Sequence, residues 1–280
     1  MDRVVILGAG ELGGLVAHAL ARRAVAHEVC LIDEKGRVAE GKALDIMEAA
    51  PVEGFAGNVT GSSDTTLVGG ATVVVIADPV GAPEWQGETA LALLRRLRDF
   101  SPEAIVVCAG ASQRELIDQG VRELHVPRTH LLGSAPEALV AGVRALVAAE
   151  MRTSPRDVAL TALGVPPEHI VIPWEDATVG GFGLHRLLGE PERRRLDARV
   201  AGVWPPGPYA LAAAAAKVVD TMLGRAARVV TCFVAPDDSA GRRTRTAALP
   251  VRLSRSGVGE LVLPEISGRD RIRLDNALLL

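Results

Sequence analysis

The 280-residue chain is predicted to be an α/β protein, a doubly wound parallel sheet followed by an α+β half. Three observations predict this. Short apolar runs alternate with segments of helical period as far as residue 133. A glycine loop stands between the first apolar run and the first helical segment. Beyond Gly133 the strand-like runs cluster without regular crossovers.

The elements are read in order. RVVIL (Arg3–Leu7) is a buried strand, and Leu12 to Val25 carries apolar residues at helical spacing. EVCLID (Glu28–Asp33) is a second strand, and GKALDIMEAAP is a helix stopped by Pro51. ATVVVIA (Ala71–Ala77) and AIVVCA (Ala104–Ala109) are the third and fourth strands, and HLLG (His130–Gly133) is a short apolar run. A boundary is placed here, dividing domain 1–133 from domain 134–280. The second half opens with a long helix from Pro136 to Met151, then two strand-like runs, DVALTAL and HIVIPW. The charged helix PERRRLDAR and an alanine-rich helix from Tyr209 to about Arg225 follow. RVVTCFV, ALPVRLS and GELVLPE close the chain as strands.

Composition narrows the function. A net charge of −3 argues against nucleic acid or an anionic membrane as partner. Cys30, Cys108 and Cys232 are widely spaced and match no metal-ligand pattern, so buried free thiols and no metal site are expected. The most apolar helix carries Lys217 and Asp220, which excludes it as a membrane span. With no signal peptide in view, a soluble cytoplasmic protein is expected.

GAGELG, Gly8 to Gly13, follows the first strand and opens a helix. In that context Gly8 permits a tight turn, Gly10 a close approach of backbone to a diphosphate, and Gly13 close packing of helix on strand. The free N–H groups at Glu11 and Leu12 and the helix dipole attract phosphate. Asp33 ends the second strand twenty residues past Gly13. A carboxylate there accepts from ribose hydroxyls and repels a 2′-phosphate, so the expected cofactor is NAD.

VVILGAGELGG, LIDEKGRVAEGKALDIMEAAPVEGF, SPEAIVV and GVGELVLPEISGRDRIRLDNA together resemble the malate/lactate dehydrogenase family, its malate dehydrogenase branch most closely. The resemblance spans nearly the whole chain. It implies a Rossmann-type NAD-binding domain, a C-terminal substrate-type domain, and a homodimer or homotetramer. It also implies oxidation of 2-hydroxy acids with NAD carrying the hydride.

That reaction needs a histidine–aspartate pair, an arginine gripping the substrate carboxylate, and arginines on a mobile loop. The G-x-H-G-[DE] pattern falls on Gly164 to Glu168, so Pro166 takes the place of the histidine. His169 stands three residues on; along an extended chain that is roughly 10 Å away and on the opposite sheet face. The positions of the aspartate and the arginine fall on Leu139 and Gly142, while Arg144 matches a structural arginine of the family. In the loop ADPVGAPEWQG both arginines become glycines, Gly81 and Gly87. Asp78 there replaces a glycine that lies close to the cofactor, and Trp85 is expected to cover the pocket or an interface. Ala109 to Ala111 stand where the family offers an asparagine.

No catalytic residue is therefore assigned. The expected role is a catalytically degenerate NAD-binding subunit, binding, scaffolding or regulatory, paired with itself or with a complete relative. An alternative is an NAD-dependent oxidoreductase with a site rebuilt from Glu168, His169 and Asp176. A redox-sensing role for the bound dinucleotide stays open beside the first.

Overall fold

The structure, a computed structural model, describes residues 2–237 and 244–280. The first half holds β1 (Arg3–Leu7), α1 (Glu11–Arg23), β2 (Glu28–Ile32), α2 (Gly36–Glu53), β3 (Val59–Ser62), β4 (Val73–Ile76), α3 (Gly87–Phe100), β5 (Ile105–Cys108), α4 (Arg114–Arg122) and β6 (Leu131–Gly133). The second holds α5 (Ala135–Met151), β7 (Val158–Ala159), β8 (Leu163–Val165), β9 (His169–Val171), β10 (Thr178–Val179), β11 (Phe182–Gly183) and α6 (Leu184–Leu187). It continues through α7 (Glu190–Val200), α8 (Pro208–Leu223), β12 (Arg228–Val234), β13 (Ala247–Ser254), β14 (Gly257–Leu261) and α9 (Gly268–Ala277).

The main sheet runs β3-β2-β1-β4-β5-β6-β12-β13-β8-β9, with β14 paired to β13. Its first six strands are parallel. Valine, isoleucine and leucine fill the central strands because helices cover both faces; Val4, Val5, Ile6 and Val73 to Ile76 are fully buried. The strand order reverses direction at β1, which opens a crevice at the carboxyl ends of β1 and β4. From β6 the sheet passes to antiparallel pairing, with Phe233 of β12 opposite Gly133. The doubly wound parallel sheet expected from the alternation is thus present, with an antiparallel extension in the second half.

Several boundaries differ from the sequence reading. The second helix begins at Gly36 and runs past Pro51 to Glu53. Pro51 lies in the last turn, where it removes one hydrogen bond, and Gly54 at φ +74° closes the helix through Ala50 O. β3 has no counterpart in the expected elements: VTGS is too short and polar to stand out, being an edge strand held by β2. DVALTAL is not one strand. Its first part pairs with β10 in a separate sheet, and its last residues join β13 and β9 in the main one. The chain also turns back at Pro166–Glu168 rather than running on extended, so His169 pairs across from Val165.

Candidate functional site

The crevice is built by the β1–α1 glycine loop, the end of β2, and the loop following β4. Gly8, at φ +101°, would place a Cβ 2.4 Å from the Asp78 carbonyl oxygen. A Cβ on Gly13 would lie 1.9 Å from the Gly8 carbonyl oxygen, so helix and strand touch there as the sequence suggests. The Gly10 N–H donates to Asp78 O at 2.8 Å, which fixes the glycine loop against the loop after β4. Gly10 caps α1 without a side-chain acceptor of its own. Glu11, exposed, and Leu12, buried, open the helix.

The acceptor at this helix start comes from elsewhere in the chain. Asp78 Oδ1 receives the Gly13 N–H at 2.9 Å. Its other oxygen lies where a Cβ on Gly10 would be, 2.2 Å from that point. The loop therefore takes an anion, as a dipole end with unsatisfied N–H groups should, and the Asp78 carboxylate stands in for one. A diphosphate approaching this helix start would meet the Asp78 side chain first.

Asp33 is buried, with 6% of its surface exposed. Its Oδ1 accepts from Lys35 N–H at 2.9 Å, and its Oδ2 from Ala9 N–H at 2.9 Å and Val80 N–H at 3.0 Å. A carboxylate offers about four acceptor positions, so about one is left for a ribose hydroxyl. Beside it opens a cavity of about 490 Å³, lined among others by Gly8, Asp33, Lys35, Val80, Trp85 and Arg96. That size falls within the range of small-molecule sites. Gly8 and Asp33 thus share one wall, whereas Gly10, Leu12 and Gly13 lie in the loop beyond it.

Lys35, Lys42 and Arg96 were not singled out from the sequence, and Glu84 stood out there only as a negative charge in its loop. Lys35 Nζ donates to Val80 O at 3.0 Å, and Lys42 Nζ to Gly10 O. A signal for the lysines does exist. The chain has only three, against many arginines, and two of them flank the glycine loop. A flexible ammonium serves a single carbonyl where a planar guanidinium fork does not. Glu84 latches the loop after β4 onto the turn after β5, accepting from Ala111 N–H at 3.0 Å and Ser112 N–H at 2.8 Å. Burial, reinforced by the Glu84 charge, pushes the Cys108 thiol well above its ordinary pKa. Cys30, Cys108 and Cys232 are all buried and free, as expected.

The positions where the resemblance expects the substrate residues have a different character, and none of them lines the cavity beside Asp33. Leu139 is fully buried in an apolar cluster with Val143, Ala162, Ile170 and Ile172, flanked by Val203 and Trp204. A Cβ on Gly142 would meet Val203 Cγ1 at 2.2 Å. Arg144 turns away, donating to Pro155 O at 2.9 Å. Pro166 lies in the β8–β9 turn, while Glu168, His169 and Asp176 are exposed and do not line the 490 Å³ cavity. Trp85 packs partly on the main core and lines that cavity. No cluster of three metal-binding side chains occurs among the described residues, and none of their helices is long and apolar enough to cross a membrane.

Comparison with known proteins places the chain. Residues 2–105 match the family model described as lactate/malate dehydrogenase, NAD binding domain. Malate dehydrogenase of Thermomicrobium roseum is 28% identical, over 97% of this chain and 93% of that protein. Malate dehydrogenase of Salinibacter ruber is 25% identical, over 97% of this chain and 92% of that protein. The solved structure of malate dehydrogenase from Salinibacter ruber superposes with a TM-score of 0.87 at 24% identity, covering 98% of this chain and 93% of that one. Lactate dehydrogenase of Cryptosporidium parvum, solved with lactic acid and NAD, gives 0.88 at 19% identity, with 99% and 94% covered. The glycine cradle, the strand order around it and these matches agree: residues 2–105 are similar to the NAD-binding domain of the lactate/malate dehydrogenase family, and the chain as a whole is similar to malate dehydrogenases and shares their fold.

Proposed function

We propose that this protein binds NAD but has lost the family's dehydrogenase reaction, and that it acts as a binding, scaffold or regulatory subunit. One observation carries the proposal: the two positions that should present the aspartate and the carboxylate-gripping arginine, Leu139 and Gly142, are enclosed by Val203 and the apolar cluster around Leu139. NAD, when bound, supplies a hydride acceptor or donor. The residues needed to hold an acid beside it and move its proton are replaced. General acid–base help is worth about 10²–10⁴ in rate. Each charge-assisted bond to a carboxylate is worth about 1.5–3 kcal/mol, and a bidentate arginine supplies two. On the cofactor side, Gly8, Gly10, Glu11, Leu12, Gly13 and Asp33 hold the dinucleotide by backbone amides and one carboxylate. The proposal includes self-assembly into dimers or tetramers, or pairing with a complete relative, in the cytoplasm.

The test is an NADH fluorescence titration of the wild type, Asp33→Ala and Gly10→Val, followed by addition of oxaloacetate or pyruvate. Saturable binding, weakened at least tenfold in both variants, with no NADH consumed, is expected. Consumption that disappears in Gly10→Val would overturn the loss of catalysis, and absence of NADH binding would overturn the cofactor assignment. Native mass spectrometry reads the assembly; a strict monomer that retains no partner removes the subunit role.

A further inference from the structure

The cradle at the start of α1 already contains a negative group, and that group is covalently part of the chain. Asp78 Oδ1 accepts the Gly13 N–H, and the carboxylate fills the space left open above Gly10. The backbone of Asp78 is pinned: its carbonyl accepts the Gly10 N–H and lies against Gly8. Only its side chain can yield. The two nearby lysines are committed to carbonyl oxygens, Lys42 to Gly10 and Lys35 to Val80, so neither stands on Asp78. Next to the cradle, the 490 Å³ cavity is open, with Leu7, Ile32, Pro79, Val80, Trp85 and Leu93 as apolar wall.

We propose that Asp78 is a specificity-determining residue, a built-in occupant of the diphosphate position that ranks adenine-nucleoside ligands by the charge they bring to it. Adenosine, uncharged, uses the cavity and the spare acceptor position of Asp33 without disturbing Asp78. NAD and ADP must take the Gly13 N–H from the carboxylate and then tolerate it as a neighbour. Two anions at one helix start repel, and the helix dipole offsets only one of them well. The inference rests on the NAD-binding proposal, because it assumes that the dinucleotide enters this crevice. NAD remains a ligand, but one whose affinity is set by an internal competitor.

Calorimetric titrations with adenosine, ADP and NAD test it on the wild type, Asp78→Asn and Asp78→Gly. Asparagine keeps the shape and an acceptor for the Gly13 N–H while removing the charge; glycine clears the cradle. Expected is a wild type that binds NAD no more tightly than adenosine. Asp78→Gly tightens NAD and ADP at least tenfold, Asp78→Asn lies between, and adenosine stays within threefold throughout. Thermal melts confirm that each variant folds, and if the glycine variant does not, the asparagine variant decides alone. NAD affinity that is the same in wild type and variants, and tenfold or more above that of adenosine, overturns the role of Asp78 while leaving NAD binding intact. Failure of all three ligands in every folded variant removes the NAD-binding proposal and the inference together.

Discussion

Replacing Leu139 by aspartate introduces the residue type that the resemblance expects at this position. It should damage the protein rather than revive it. Leu139 is fully buried, and its neighbours Val143, Ala162, Ile170 and Ile172 offer no polar partner. Truncation to alanine removes the side chain and leaves a cavity, at a cost of about 3–5 kcal/mol. Aspartate loses about 1.5–3 kcal/mol of apolar burial and adds a carboxyl group that the site cannot solvate. Such burial raises a carboxyl pKa by as much as about 3–5 units. At pH 7 a group that would ionise near 3.9 in the unfolded chain then costs up to about 4 kcal/mol more. The total, up to about 5.5–7 kcal/mol, compares with a typical stability of about 5–15 kcal/mol. The folded pKa is raised, so the charge penalty is absent below the unfolded value and grows as pH rises toward the folded one. Melting of Leu139→Ala, Leu139→Asn and Leu139→Asp, each at about pH 4 and pH 7, gives the readout. Alanine should lower Tm by about 6–20 °C. The aspartate variant should melt near the asparagine variant in acid and below both others at neutral pH. An aspartate variant as stable as the alanine one at neutral pH, with no pH dependence, would mean that water or a cation reaches the position, and the apolar-fill explanation would be wrong.

Three further outcomes follow from the same structure. Asp118 ties α4 to the start of β13, accepting from Thr246 N–H at 2.8 Å and pairing with Arg122 at 3.2 Å and Arg245 at 3.3 Å. Burial alone would raise its pKa, but the Thr246 amide and the two guanidinium groups hold it below the ordinary carboxylate value. Its contribution is therefore present above the unfolded pKa and lost as pH falls through the folded one; Asp118→Asn should cost about 1.5–3 kcal/mol at neutral pH and nothing in strong acid, as read by urea melts across pH. Gly13→Ala forces a Cβ to within 1.9 Å of the Gly8 carbonyl oxygen and should cost about 1–3 kcal/mol in denaturant titrations; an unchanged midpoint would contradict that close approach. The three cysteines should resist alkylation in the native state and react together on unfolding, since all are buried and the Cys108 and Cys232 thiols are pushed up by burial; mass spectrometry after a brief alkylation checks this.

Much of the cofactor half was legible because its constraints are local. The glycines at 8, 10 and 13 follow a valine-rich strand, and their spacing alone states what the backbone must do. Long-range partners were not legible. Asp78 stands 65 residues from Gly13, and nothing in ADPVG tells which amide its carboxylate will meet. Glu84 reads as a stray loop charge until the fold brings Ala111 and Ser112 beneath it. The run DVALTAL looks continuous because alternation does not say which sheet a strand will join. Pro51 misled because a proline in a last turn and a proline that ends a helix give the same pattern. In the second half, the surroundings of Leu139 and Gly142 were not legible: Val203 closing on Gly142 is a contact between α5 and the segment before α8.

The most direct measurement is calorimetric titration of oxaloacetate and of pyruvate into the NADH-loaded protein, which reads acid binding whether or not turnover follows. Expected is no saturable heat for either acid, because Leu139 and Gly142, the positions where the resemblance expects the aspartate and the carboxylate-gripping arginine, are enclosed by apolar neighbours and Val203. Saturable binding of either acid at a one-to-one ratio, stronger with NADH than without it, would contradict the filling of the substrate half by apolar side chains.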